Sequence, residues 1–299
     1  MGTRIISTSD GTNRGAFAAG DWGLFLSVAL IWGSSFLFIS IALNDFDPGL
    51  ITWLRVASGA ATLALVPRSR KPIEPEDRSK LLALSFLWVA IPFTLFPLAQ
   101  QYINSSVTGM LNGATPIFAA LVASLLLKRL PRLAQGGGLM LGLVGLALIS
   151  ISSGGQGKTA WYGVVMVLVA TLCYGIALNI ATGLQQKYGS LPVMGRMLSL
   201  ATIWVSPFGL ASLAGSHFSM AALGSVLFIG VVGTGLAFVI MGNLSGRVGP
   251  TRASFITYLI PVVSVILGVV LLADEVTGVA VVGIGLVIVG AILASRREA

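Results

Sequence analysis

The chain has 299 residues, of which 56% are hydrophobic and 9% charged; soluble domains carry about 25% charged residues, so a soluble fold is excluded. A formal charge of +8 suggests nucleic acid only until the basic residues are placed along the chain, where they mark one side of a membrane. The single cysteine, Cys173, excludes a disulfide framework and a thiol metal site.

Residues 1–21 read as a polar tail with Arg4, Asp10 and Arg14. Ten apolar runs follow, roughly 22–44, 48–67, 80–100, 106–127, 132–152, 160–182, 191–214, 221–244, 252–273 and 276–294. Each is long enough to cross a ~30 Å hydrocarbon core as a helix. The first is too long for a signal-peptide core and no small-residue cleavage site follows, so it reads as retained. Ten such helices leave no room for a separate soluble domain.

If the runs alternate from a cytoplasmic N-terminus, fifteen basic residues share the cytoplasmic side: Arg4, Arg14, Arg68, Arg70, Lys71, Arg78, Lys80, Lys128, Arg129, Arg132, Lys187, Arg247, Arg252, Arg296 and Arg297. Only Lys158 falls on the other side, and Arg55 and Arg196 lie within runs. That asymmetry is the positive-inside signature. It predicts a multi-pass protein of the bacterial inner membrane with both termini cytoplasmic, a lipid bilayer as surroundings and no nucleic-acid partner.

A displacement of 145 residues superposes Pro116 on Pro261, Gly138 on Gly283 and Gly145 on Gly290. Each half then holds five helices, an odd number, so the second half is inverted in the membrane. The charges follow suit, since Lys128 and Arg129 correspond to Ala273 and Asp274, next to Glu275. The expected fold is an all-α integral membrane protein with ten transmembrane helices in two inverted five-helix repeats. The first repeat covers 22–155, the second 156–295, and 296–299 form a cytoplasmic tail. Inverted halves around a midplane site are a recurrent design of secondary transporters.

Arg247, Val248, Gly249, Pro261, Glu275, Gly283 and Gly290, within the stretch from Asn243 to Leu293, resemble the second EamA domain of the drug/metabolite transporter superfamily. The first half is similar through Trp32, Gly33, Arg55 and Pro116, and departs in having Leu130 opposite Glu275. The resemblance covers essentially the whole chain. It implies a ten-helix bacterial inner-membrane exporter, with YddG-like amino-acid exporters the nearest group, and no cofactor.

Candidate site residues fall into three sets. Pro116 and Pro261 break helices and free the carbonyls of Asn112 and Thr257, which in lipid must face protein or a water-filled cavity. Arg55 and Arg196 enter from opposite faces, where a guanidinium either attracts a substrate carboxylate or snorkels to headgroups. Trp32 and Ser35, Thr171 and Tyr174, with Asn112, Thr115, Asn179, Thr257 and Tyr258, supply aromatic and polar groups at mid-helix depth. They either line a cavity for an amphipathic metabolite or bond helix to helix. Trp22, Trp53, Tyr102, Trp161 and Tyr162 read as interfacial anchors. The glycines of the fifth and tenth runs read as packing residues, with dimer contacts implied by the resemblance.

All ten acidic residues lie in tails, loops or helix ends, and the one histidine, His217, lies in a loop. Without an intramembrane nucleophile–base pair or carboxylate dyad, an enzyme is not expected, and no metal site is. Nor is there a P-loop pattern for ATP. The expectation is a secondary transporter exporting small metabolites, amino acids including aromatic and neutral ones foremost, by alternating access. Transport would be facilitative, or coupled to protons through Asp274 or Glu275. Nucleosides or drugs are alternative cargoes, a pore or scaffold an alternative role, and a monomer or homodimer the expected assembly.

Overall fold

A computed structural model describes residues 18–126, 133–152, 160–248, 253 and 256–295. The expectations for Lys128, Arg129, Leu130, Arg132, Lys158, Gly249, Arg252 and the two tails fall outside these residues. The described residues are all-helical and form ten rods. Rod α1 joins Ala19–Gly33 to Ser35–Ala42, and α2 is Pro48–Ala64. Rod α3 runs through Arg78–Leu84, Ser85–Ala90 and Ile91–Ala99. Rod α4 joins Ser105–Asn112 to Thr115–Leu126. Then come α5 (Leu133–Ser152), α6 (Ala160–Tyr188) and α7 (Ser190–Ala211). Rod α8 runs through Met220–Leu227, Phe228–Leu236 and Ala237–Val248, followed by α9 (Ile256–Leu272) and α10 (Gly278–Ser295). Six of these spans are long and apolar enough by themselves to cross a bilayer. Stretches of α5, α9 and α10 are shorter apolar helices, and α2, which carries Arg55, is in neither group.

The expected inversion is visible in the packing. Rod α1 lies against α8 and α9, while α6 lies against α3 and α4, the same arrangement advanced by five helices. Rods α2 and α7 pair with each other, as do α5 and α10. Gly145 approaches Gly283, and Gly290 approaches Gly138; the 145-residue displacement turns one contact into the other. A Cβ on Gly145 would stand 2.5 Å from the Gly283 carbonyl oxygen, and one on Gly290 2.6 Å from that of Gly138. These glycines therefore serve contact within the chain. Gly145→Ala is expected to cost about 1–3 kcal/mol through overpacking, read as a lower thermal midpoint in detergent. Gly136→Ala, with no atom within 4 Å of its Cβ, should leave that midpoint in place.

The described basic residues Arg68, Arg70, Lys71, Arg78, Lys80, Lys187 and Arg247 gather at one end of the bundle, called the basic face below. There Lys187 pairs with Glu74 and, at 3.0 Å, with Asp77, tying α6 to the α2–α3 linker. Tyr188 Oη donates to the same Asp77 carboxylate. The lysine beside Glu74 holds that carboxyl below its usual range, first through their hydrogen bond and then through the lysine's charge. Arg247 meets the fully buried Asp21 at 2.6 Å, tying α8 to α1. On the opposite face His217 N–H donates to Asp45 O at 2.8 Å, and Asp47 N–H to Ser216 Oγ at 2.9 Å.

Trp22, Tyr102, Trp161 and Tyr162 are exposed near rod ends, where interfacial aromatics belong. Trp53 differs. Its Nε1 donates to Ser206 Oγ at 3.0 Å and its ring packs on Gly209, so it joins α2 to α7.

Candidate functional site

The π-helical stretches Ser85–Ala90 in α3 and Phe228–Leu236 in α8 are inverted-repeat counterparts, since adding 145 to 85–90 gives 230–235. In a π turn the backbone bonds run i→i+5, and such turns recur at functional sites. A central cluster of side chains from α1, α2, α3 and α8 gathers around the second of them, and the space it would enclose is called the chamber below. Thr234, 1% exposed, donates from Oγ1 to Ile229 O at 2.9 Å and accepts from Arg55 Nε at 3.3 Å. Trp32 Nε1 donates to Gly233 O at 3.0 Å. Ser35, sharing that face of α1, bonds Ile31 O and lies beside Gly233.

Arg55 does not snorkel. It sits midway along α2, is 7% exposed, and its Cζ lies 3.9 Å from the centroid of the Phe93 ring. A guanidinium carries five N–H donors; the protein takes up Nε, and among the described residues no Asp or Glu pairs with the group. A buried cation without a counter-ion is costly, so the arrangement favours any anion that can reach it. The backbone near it is also irregular. Pro97 leaves the Phe93 carbonyl without a helical donor, and the single hydroxyl proton of Thr52 is shared between that carbonyl at 3.0 Å and Pro48 O at 2.9 Å.

Two aromatic pairs flank the arginine. Trp32 meets Phe238 edge-on with ring centroids 5.9 Å apart, and Tyr174 meets Phe96, also at 5.9 Å. Phe36 packs on Phe96 at 5.4 Å. The structure thus brings Trp32, Ser35, Arg55 and Tyr174 together. It adds Phe93, Phe96, Thr234 and Phe238, which the sequence reading did not single out. The glycine-spaced run around Thr234, "IGVVGTGL" from Ile229 to Leu236, was the available signal.

The other expected residues lie elsewhere. Rod α4 breaks at Gly113 and Ala114, so Pro116 stands in the first turn of a new segment, where its missing N–H is harmless. The Asn112 carbonyl accepts from Thr115 Oγ1 at 2.8 Å, while Asn112 Oδ1 is buried without a partner. Pro261 lies within α9 and faces Gly113 across the α4 break. Thr257 and Tyr258 are half-buried in the first turn of α9. Asn179 Nδ2 bridges Ala119 O and Gly175 O at 3.0 and 2.8 Å, bonding α6 to α4. Thr171 is buried and bonds its own helix at Leu168 O. Arg196 is exposed at the basic face, donating to Arg70 O at 3.1 Å. The two arginines are therefore not equivalent.

A pocket of about 220 Å³ opens on the basic face, lined by Arg68, Lys71, Ser190, Val239 and Asn243 among others. Its deepest α8 residue, Val239, adjoins Phe238. Among the described residues no three His, Cys, Asp or Glu side chains form a group able to hold a metal.

The chain matches the model of the EamA-like transporter family twice, over residues 21–151 and 161–296. An uncharacterized transporter of Archaeoglobus fulgidus is 26% identical over 93% of this chain and 99% of its own. A "probable amino-acid metabolite efflux pump" of Salmonella typhimurium is 28% identical over 90% of this chain and 93% of its own. A "probable terminal-alkyne amino-acid exporter" of Streptantibioticus cattleyicolor is 25% identical over 92% and 93%. A solved crystal structure aligns over 93% of this chain and 97% of its own with a TM-score of 0.59 at 16% identity, a likeness of fold. With both halves matched and the inverted ten-rod architecture in place, the chain is a multi-pass membrane transporter, not an enzyme, and belongs to the EamA-like transporter family.

Proposed function

We propose that this protein is a secondary carrier that exports small metabolites bearing a carboxylate, amino acids including aromatic and neutral ones foremost, across the inner membrane by alternating access. The observation that carries the reading is Arg55, a buried guanidinium at mid-length of its helix with no carboxylate partner among the described residues. A planar fork of donors suits a carboxylate, and Trp32, Tyr174 and Phe96 offer apolar walls for the rest of the molecule. The positive-inside rule assigns the basic face to the cytoplasm, so the basic pocket is where cargo enters for export. The names of the Salmonella and Streptantibioticus relatives support amino-acid cargo. The chamber is complete within one chain, so a monomer suffices for transport.

Asp21 is the one acidic residue inside the described rods, and it is engaged by Arg247. That absence of a free intramembrane acid supports facilitated movement down the substrate gradient. The test is counterflow of labelled amino acids into proteoliposomes, beside their decarboxylated amines, with and without an imposed pH gradient. Saturable flux that requires the carboxylate and ignores the gradient is expected. Equal flux of amine and amino acid would remove the carboxylate anchor, and flux of nucleosides alone would remove the cargo class.

A further inference from the structure

The two aromatic pairs beside Arg55 are related by the inverted repeat. Tyr174–Phe96 joins α6 to α3 and Trp32–Phe238 joins α1 to α8, the same pairing of rods advanced by five, and both have centroids 5.9 Å apart. Their positions along the rods bracket the arginine. Phe96 stands three residues beyond Phe93, whose ring lies under the guanidinium, toward the end of α3 on the opposite face. Phe238 stands four residues beyond Thr234, which bonds the same guanidinium, toward the end of α8 on the basic face. The two pairs thus stand on opposite sides of the arginine along the bundle.

We infer that Trp32–Phe238 and Tyr174–Phe96 are the two gates of a single occluded site, the first facing the basic pocket and the second facing the opposite side. The inference rests on the carrier reading of that site. Phe96 and Phe238 are then the residues that decide which side the Arg55 chamber opens to. Their helices are suited to the task. Both gate phenylalanines ride on rods with a π-helical stretch, Ser85–Ala90 in α3 and Phe228–Leu236 in α8, each on the chamber side of its gate. Such stretches interrupt the regular i→i−4 ladder and are frequent at functional sites. The basic pocket ends where the first gate begins, at Val239 next to Phe238. On the opposite side the linker contacts of Asp45 and Asp47 lie beyond the second gate. Aromatic pairs close a path without burying unpaired polar groups, and their contact is weak enough to reverse at each turnover.

Accessibility of a cysteine in the chamber tests this without any substrate. In full-length Cys173→Ser protein, Thr234→Cys supplies the reporter, and Lys71→Cys in a parallel sample fixes which side the basic face occupies. Membrane-impermeant methanethiosulfonate reagents are added to right-side-out and inverted vesicles. The reporter alone should react slowly from both sides. Phe238→Ala should speed its reaction about tenfold from the basic-face side only, and Phe96→Ala equally from the opposite side only. Trp32→Phe and Tyr174→Phe keep a ring in each gate and should leave the reporter slow. If an alanine variant fails to insert, leucine at the same position replaces it, since a flexible side chain cannot rebuild the ring contact. Acceleration from both sides by either variant, or from the wrong side, would overturn the assignment. Because the readout needs no cargo, a failed substrate guess and a failed gate give different results.

Discussion

Replacing Arg55 with glutamine is expected to abolish transport of carboxylate substrates while leaving the protein at least as stable as the parent. The two effects have one cause. Burying a guanidinium costs several kcal/mol of hydration, and the protein returns only a hydrogen bond to Thr234 and the face of Phe93. The stacking contributes about 2 kcal/mol when desolvated. Glutamine removes the charge and keeps an amide that can still reach Thr234, so the thermal midpoint should hold or rise. Transport behaves in the opposite way. Removing one partner of a buried charge pair costs about 2–5 kcal/mol, or about thirty- to several-thousand-fold in kcat/KM. Arg55→Lys should fall between, because it retains the charge but loses the planar fork and the stacking on Phe93. Decarboxylated cargo, if carried at all, should be indifferent to both variants. A lower midpoint with unchanged amino-acid flux would make Arg55 a structural residue and remove it from the site.

The ten rods and their inversion were legible because lipid imposes long apolar runs, and topogenesis places Lys and Arg at one set of rod ends. Arg55 stood out for the same reason, as a charge seven residues past Pro48. What surrounds it was hidden. Phe93, Phe96 and Phe238 read in sequence like any lipid-facing phenylalanine, and only packing distinguishes them from the exposed Phe86 and Phe218. The π-helical stretches were hidden too, because an extra residue per turn leaves no pattern in hydropathy. Proline was misleading in a specific way. Pro116 marks a helix start and its carbonyl partner is repaired by Thr115, whereas the freed carbonyl nearest the arginine belongs to Phe93, ahead of Pro97. Arg196 looked like the mate of Arg55 by depth, yet α7 begins at Ser190, which puts it within two turns of the basic face.

Asp274→Ala is expected to produce a large loss of stability, about 2–4 kcal/mol, because one carboxylate oxygen ties the two repeats together on the face opposite the basic one. Asp274 Oδ2 accepts from Ser105 Oγ at 2.7 Å and from both the N–H and Oγ of Ser106 at 2.8 Å. The end of α9 is shaped to aim it. Ala273 takes a left-handed conformation at φ 54°, and Asp274 N–H returns to Gly268 O at 3.0 Å. A Cβ at position 268 would run into Ser106 Oγ and Asp274 Oδ2, so glycine there lets α4 and α9 approach. The carboxylate meets the first turn of α4, where unsatisfied N–H groups and the helix dipole favour negative charge. Hydrogen bonds to a charged group contribute about 1.5–3 kcal/mol each, and the half-exposed position of Asp274 reduces their sum. Asp274→Asn retains an acceptor and should recover part of the loss. Since Ser106 and Asp274 act through the same bonds, a double-mutant cycle with Ser106→Ala should show coupling above about 0.5 kcal/mol; additive losses would mean that the contact does not join the repeats. The same variant connects to transport, because α4 belongs to one half and α9 to the other. Freeing them should bias the carrier toward opening on that face, so a Thr234→Cys reporter should react faster from that side and no faster from the basic one.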